Sequence, residues 1–262
     1  MFKMIKALFF DIDGTLVSFK THSIPQSALD AIGKAREKGV KVFIATGRPP
    51  AFIDNLGSLE YDGMICTNGS YIIAEGRVIH KKPIHQEDIL NLAHYMKSHY
   101  IPSIFASGQG VIACGFEEAN EDTLGVFSLL NIPVPKSAPI EKALQNDAIQ
   151  IVAFFNKDSE QYIMSNVLTH CDANRWHPAF TDCIPKGTDK SVGIDIVCSH
   201  YGLDVSETMA FGDGGNDIGM LRHAGIGVAM GNASDEVKAA ASYVTSSVDE
   251  DGIARALEKF CL

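Results

Sequence analysis

The chain has no CxxC pair, no apolar run long enough to span a membrane, no internal repeat, and fewer basic than acidic residues. Each absence removes a class of function. The six cysteines (Cys66, Cys114, Cys171, Cys183, Cys198, Cys261) are scattered, several inside apolar runs such as "GMICTNG" and "IDIVCSH". They read as reduced core thiols, not as a disulfide or zinc framework. The opening "MFKMIKALFF" is too short an apolar stretch for a signal peptide, and a charged turn follows with no small-residue cleavage site. With no membrane-length run either, a cytoplasmic location is expected. Lys and Arg number 22 against 32 Asp and Glu, a net charge of −10. That balance argues against a general nucleic-acid or anionic-membrane binder, although local positive sites remain open; acidic charge of this kind is more often simple solubility than function. The nine histidines form no close pair at metal-ligand spacing with carboxylate support, and most read as surface or packing residues. Nothing in the sequence specifies an oligomeric state.

What is present is a rhythm of buried strands and amphipathic helices. Met4 to Phe10 reads as a strand buried on both faces. "SIPQSALDAIGKAREKG" reads as a helix with Ser23 as N-cap, Pro25 in its first turn, an apolar stripe of Leu29, Ile32 and Ala35, and a stop at Gly39. "VKVFIATGR" is a second buried strand ending near Thr46, "PAFIDNLGSL" a short helix and "GMICTNG" a third strand. "SYIIAEGRVIHKKPI" is a hairpin turning at Glu75-Gly76.

From about Pro83 the texture changes. A helix "QEDILNLAHYMKSHY" precedes two strands, "IPSIFAS" and "GVIACG", close enough to pair antiparallel. A helix over Glu117–Leu130, a strand "AIQIVAFFN", a helix "SEQYIMSNVLTH" and the short strands "NRWHP" and "AFTDCIP" follow. After Pro185 the first rhythm resumes and runs to a closing helix, "DGIARALEKF". The expected fold class is α/β: a doubly wound, Rossmann-like parallel-sheet core over residues 1–83 and 184–262. An inserted α+β module carrying an antiparallel sheet would span residues 84–183.

The chemistry-bearing residues gather at strand ends. Asp11 ends the first strand, Thr46 the second, and Asp213 comes just after "TMAFG". In open parallel sheets ligands bind outside the carboxyl ends of strands, so these positions are expected to share one crevice. Asp11, Asp13, Asp213 and Asp217 together would need a cation, and all-oxygen ligation beside phosphate suits Mg²⁺. Thr46, Gly47 and Lys190 offer a hydroxyl, an unobstructed backbone N–H and a compact positive charge, which fit phosphoryl oxygens. "TGR" is read as opening a helix whose N-terminus adds to the pull on an anion. Together these features point to phosphoryl transfer with an aspartate nucleophile.

Taken singly, each motif has a plainer reading. An Asp-rich turn is a common structural stop, Thr46 could simply cap a helix, and "GDGGND" could be a broken dinucleotide fingerprint. "PKGTDKS" offers Lys186 as well as Lys190; Lys190 is preferred because it opens an apolar helix pattern. Asn68 and Gly69 in "TNGSY" read equally as a turn or as part of the crevice wall. Trp176 and His177 lie near the last strands of the insertion, where hairpin packing and contact with a leaving group are both open.

In order, "DIDGTL", "TGR", a lone lysine before an amphipathic helix, and "GDGGND" resemble the haloacid dehalogenase superfamily of phosphohydrolases. The resemblance covers almost the whole chain and is greatest to the Cof-like sugar-phosphatase branch, with its C2-type (C2B) cap. It implies that Asp11 attacks phosphorus to form an aspartyl-phosphate, and that Asp13 serves as general acid and then base. It implies Mg²⁺ held by the Asp11 carboxylate, the Asp13 carbonyl and Asp213, with Asp217 acting through a bound water or by orienting its neighbours. Thr46, Lys190, Asn216 and the backbone N–H of Ile12 would bind phosphate, with Gly47 and Arg48 beside them. The implied activity is hydrolysis of a small phosphorylated metabolite, foremost a sugar (hexose) phosphate, under a cap that excludes water. A phosphomutase or phosphotransferase using the same intermediate, and a non-catalytic phosphometabolite sensor, are the alternatives.

Overall fold

The computed structural model describes residues 4–117, 119–129 and 133–262. The Trp176 side chain and the end of the helix read over Glu117–Leu130 lie outside the described residues. In chain order, β1 (Ala7–Phe10), α1 (Gln26–Glu37), β2 (Lys41–Ala45), β3 (Gly63–Cys66), β4 (Tyr71–Ala74) and β5 (Arg77–Lys81) come first. Next come α2 (Gln86–Tyr95), β6 (Ser103–Ser107), β7 (Gly110–Cys114), α3 (Glu121–Leu129), α4 (Ile140–Leu144), β8 (Gln150–Ala153), α5 (Lys157–Asn166), β9 (Cys171–His177) and β10 (Phe180–Pro185). The chain closes with α6 (Lys190–Tyr201), β11 (Thr208–Gly212), α7 (Ile218–His223), β12 (Ile226–Ala229), α8 (Asp235–Ala240), β13 (Tyr243–Val244) and α9 (Gly252–Phe260). Two compact units result: Met1–Arg48, Phe52–His80 and Thr188–Leu262 form one, Pro49–Ala51 and Lys81–Gly187 the other.

The first unit holds an eight-stranded sheet in the order β13-β12-β11-β1-β2-β3-β4-β5. It is parallel from β13 to β3, and β4 pairs antiparallel with β3. Both faces of β1 are covered because its side chains alternate between two cores. Leu8 and Phe10, with Ile12 beyond the strand, pack with α1 and α9 residues such as Ile32 and Leu257. Ala7 and Phe9 pack on the opposite face with Ile194 and Val197 of α6 and Leu221 of α7. All four β1 residues are fully buried, and each large side chain contributes about 1.5–3 kcal/mol of apolar burial. The register places Phe10 level with Ile44 of β2 and Phe211 of β11. Asp11, Thr46 and Asp213 therefore leave adjacent strands at the same edge. The strand-end rule thus brings together residues some 200 positions apart in sequence.

The second unit holds a five-stranded sheet, β7-β6-β8-β10-β9, with antiparallel pairing throughout. Its two cores are built around Phe105, Ile151 and Ile163, and around Phe116, Phe127 and Phe154. This unit also draws His85, Glu87 and His170 into one cluster. No close spacing of histidines points to this cluster, because His170 lies far along the chain from His85 and Glu87.

The structure corrects two local expectations. No helix covers "PAFIDNLGSL"; only Pro50–Phe52 makes a single 3₁₀ turn. Gly57 sits at φ +55°, outside the right-handed helical region, and Asp54 and Asn55 are weak helix formers. The first helix begins at Gln26, after Pro25, and Ser23 does not cap it.

Candidate active site

Lys190 is the first residue of α6, and Asp189 caps that helix by accepting from the Ser191 and Val192 backbone N–H groups. A Cβ on Gly193 would lie 2.5 Å from Ile65 of β3, so the missing side chain lets α6 settle directly on the sheet. The lysine is fully buried. Its Nζ donates to Asp11 Oδ1 at 2.6 Å and to Asp217 Oδ1 at 2.5 Å. The other Asp217 oxygen accepts from the backbone N–H groups of Asp213 and Gly214. Asp213 in turn accepts from Thr15 Oγ1 at 2.8 Å and from Asn232 Nδ2 at 3.0 Å.

Three of the four anticipated carboxylates therefore converge: one oxygen each from Asp11, Asp213 and Asp217 lies within 4.8 Å of the others. When all three are ionised, Lys190 offsets one charge and two remain. Burial, reinforced by Asp217 and opposed by Lys190, pushes the Asp11 carboxyl up to about 8. Burial likewise lifts Asp213 to about 6, against the pull of the Thr15 hydroxyl. Burial alone would lower Lys190, but Asp11 and Asp217 outweigh it and hold the ammonium well above its usual range. A hard dication with oxygen ligands fits this set, since it supplies the two missing positive charges and favours the ionised carboxylates.

The fourth aspartate is held elsewhere. Asp13 forms a two-pronged ion pair with Arg48, Nε to Oδ2 and Nη2 to Oδ1, both at 2.7 Å. Arg48, assigned to phosphate from the sequence, here holds the Asp13 carboxylate; its Nη1 also donates to the Phe52 carbonyl. Between the two aspartates the Ile12 side chain is buried in the core, so any ligand contact by this residue falls to its backbone. Gly14 adopts φ +84°, and a Cβ there would lie 2.2 Å from Asp213 Oδ2. Only glycine allows the two loops to approach so closely.

Without a helix after "TGR", its segment is fastened to the neighbouring strand-end loop. Asn68 N–H donates to the Thr46 carbonyl at 3.0 Å and Thr67 N–H to the Arg48 carbonyl at 3.1 Å. Thr67 (φ 48°) and Asn68 (φ 50°) both occupy the left-handed region. For a β-branched residue such as Thr67 that conformation is strained, and strain of this kind concentrates at functional sites. Asn216 Nδ2 donates to Asn68 Oδ1 at 3.0 Å, and both side-chain amides lie over Gly47. Thr46, Gly47, Asn68 and Asn216 thus form one polar group, while Lys186 is an exposed loop residue of the other unit. The sequence reading missed Thr15 and Asn232. Thr15 stood inside the quoted "DIDGTL", and Asn232 lies just past the end of β12, where the strand-end rule could have found it.

A model of the haloacid dehalogenase-like hydrolase family matches residues 8–257. The chain belongs to this family. Among haloacid dehalogenase-like proteins, the subclass IIB sugar phosphatase BT4131 is 45% identical, with a TM-score of 0.87 over 97% of this chain and 98% of its own. The phosphatase BT1666 from Bacteroides thetaiotaomicron is 37% identical, with a TM-score of 0.90 over 98% of this chain and 95% of its own. YkrA of Bacillus subtilis (strain 168) is 33% identical over 258 residues, 98% of each chain. This member of the family therefore shares both the parallel-sheet core and the separate antiparallel sheet with solved relatives. No helix among its described residues is long and apolar enough to cross a membrane.

Proposed function

We propose that this hydrolase, a phosphatase of the haloacid dehalogenase superfamily, uses Mg²⁺ to release phosphate from a small sugar phosphate through an aspartyl-phosphate on Asp11. The observation that carries the reading is the set of three converging carboxylates around one buried lysine, two charges short of neutrality. Asp11 and Asp213 would hold Mg²⁺ with the Asp13 carbonyl, while Asp217, both of whose oxygens already accept hydrogen bonds, orients Lys190 and the 213–214 backbone. When bound, the cation supplies Lewis-acid charge stabilisation at the phosphoryl oxygens. The inserted unit, with its antiparallel sheet, is taken as the C2-type cap.

The chain's own residues carry the rest. An Asp11 oxygen attacks phosphorus, and the bond from phosphorus to the sugar oxygen breaks as Asp13 delivers a proton to that oxygen. Asp13 then takes a proton from water as the water oxygen attacks phosphorus and the bond to Asp11 breaks. Free phosphate leaves with Asp11 restored. Lys190, Thr46, Asn216 and the Ile12 N–H would hold the phosphoryl oxygens during both steps. Arg48 fixes the Asp13 carboxyl in one orientation.

A turnover screen over hexose phosphates, nucleotides and cofactor phosphates tests the reading. Free phosphate should appear with Mg²⁺ and stop in excess chelator, and the likeness to BT4131, a sugar phosphatase, places sugar phosphates, hexose phosphates foremost, first among the expected substrates. Isomerised sugar phosphate without free phosphate would replace hydrolysis with mutase chemistry. Binding without any metal-dependent turnover would leave a sensor. Thr15→Val removes the hydroxyl donated to Asp213 at nearly constant volume. It should raise the Mg²⁺ concentration for half-maximal turnover about 10–100-fold, with a much smaller change at saturating Mg²⁺. An unchanged Mg²⁺ requirement would remove Asp213 from the metal set.

A further inference from the structure

We propose that His85, Glu87 and His170, on the inserted unit, form a second cation site that takes a borderline transition-metal dication such as zinc or nickel. One ligand atom from each of the three lies within 4.8 Å of the others. His85 immediately precedes α2, Glu87 is in its first turn, and His170 directly precedes β9. The two imidazoles stack with centroids 4.2 Å apart, and His85 Nδ1 lies 3.9 Å from Glu87 Oε2. All three side chains are about half exposed or more, and binding would turn the stacked rings out of parallel so that each directs one nitrogen at a shared ion, with bonds of about 2.0–2.2 Å.

The support beneath His170 sets this cluster apart from a chance meeting of surface side chains. Asp88, next to Glu87, is fully buried. It accepts from the His170 backbone N–H at 2.9 Å and from the Cys171 thiol at 3.3 Å, and meets His170 Nδ1 at 2.9 Å. A carboxylate in that position places the ring hydrogen on Nδ1 and the lone pair on Nε2. A buried carboxylate behind an exposed imidazole is the arrangement that orients metal-binding histidines elsewhere. Two imidazoles and one carboxylate select zinc, nickel or copper over Mg²⁺, which prefers oxygen ligands throughout. Three protein ligands leave a position for water. The bound ion would tie the start of α2 to the start of β9, more than 80 residues away in sequence.

Calorimetric titration of the full-length protein with zinc chloride in saturating Mg²⁺, which occupies the carboxylate cluster, tests the site without reference to turnover. Wild type and Asp11→Asn should each bind one equivalent and gain thermal stability. His170→Gln and His85→Ala, both at exposed positions, should bind at least about tenfold more weakly and lose that gain. The proposal fails if wild type takes up no zinc under these conditions. It fails equally if the histidine variants bind as wild type does, or if Asp11→Asn is the variant that loses the equivalent.

Discussion

Asp11→Asn should abolish phosphate release while leaving the protein folded. An amide nitrogen or oxygen at this position is a poor nucleophile, so the loss should reach roughly 10⁴–10⁶-fold, as for other covalent nucleophiles. The folded state should not suffer, because asparagine keeps the shape of the side chain and removes a carboxyl whose ionisation burial opposes, pushing it up to about 8. The sign follows from proton counts. Between the ordinary carboxylate range and about pH 8, the metal-free folded protein holds the Asp11 proton more tightly than the unfolded chain does. Stability from this group therefore falls as pH rises through that window. Asp11→Asn should remove the upper part of this decline, while Asp213, lifted to about 6, keeps the lower part. Melting temperatures in chelator across pH 5–8, with phosphate release at pH 7, check both halves. Undiminished turnover would overturn the nucleophile assignment, and an unfolded variant would overturn the charge argument.

Lys190→Met should be the most destabilising change at the site. The ammonium is fully buried between Asp11 and Asp217, whose side chains are 10% and 0% exposed. Breaking such a pair leaves uncompensated buried charge, which costs about 3–5 kcal/mol. Urea denaturation in chelator should show that loss, and added Mg²⁺ should recover part of it by supplying positive charge to the same carboxylates. Turnover at saturating Mg²⁺ should still fall about 10²–10³-fold, the scale for removing one preorganised charge-stabilising group. Lys186→Met, at the exposed alternative lysine, should change stability by less than about 0.5 kcal/mol and leave turnover unaltered. The reverse pattern would exchange the roles of the two lysines.

Much of the fold was legible because its signals are local. "ALFFDIDGTL" announces a buried strand that stops at a carboxylate, and four apolar residues in a row leave no polar face to present to water. The order of strands and helices then implies parallel pairing, which places Asp11, Thr46 and Asp213 at one edge. The helix expected at "PAFIDNLGSL" does not form, because its apolar spacing suits a helix but Asp54, Asn55 and a left-handed Gly57 deny the backbone that shape.

What the sequence by itself determined was which residues carry charge, and at which strand ends they must lie. The tertiary structure decided how those charges are shared. It paired Asp13 with Arg48 and Lys190 with Asp11 and Asp217, and it brought Thr15 and Asn232 onto Asp213. It also assembled His85, Glu87 and His170 from two ends of the inserted unit. Local spacing along a strand or helix is fixed by backbone geometry and can be read from one sequence. A contact between loops depends on where several packed elements leave them, and that position is set by burial across the whole sheet.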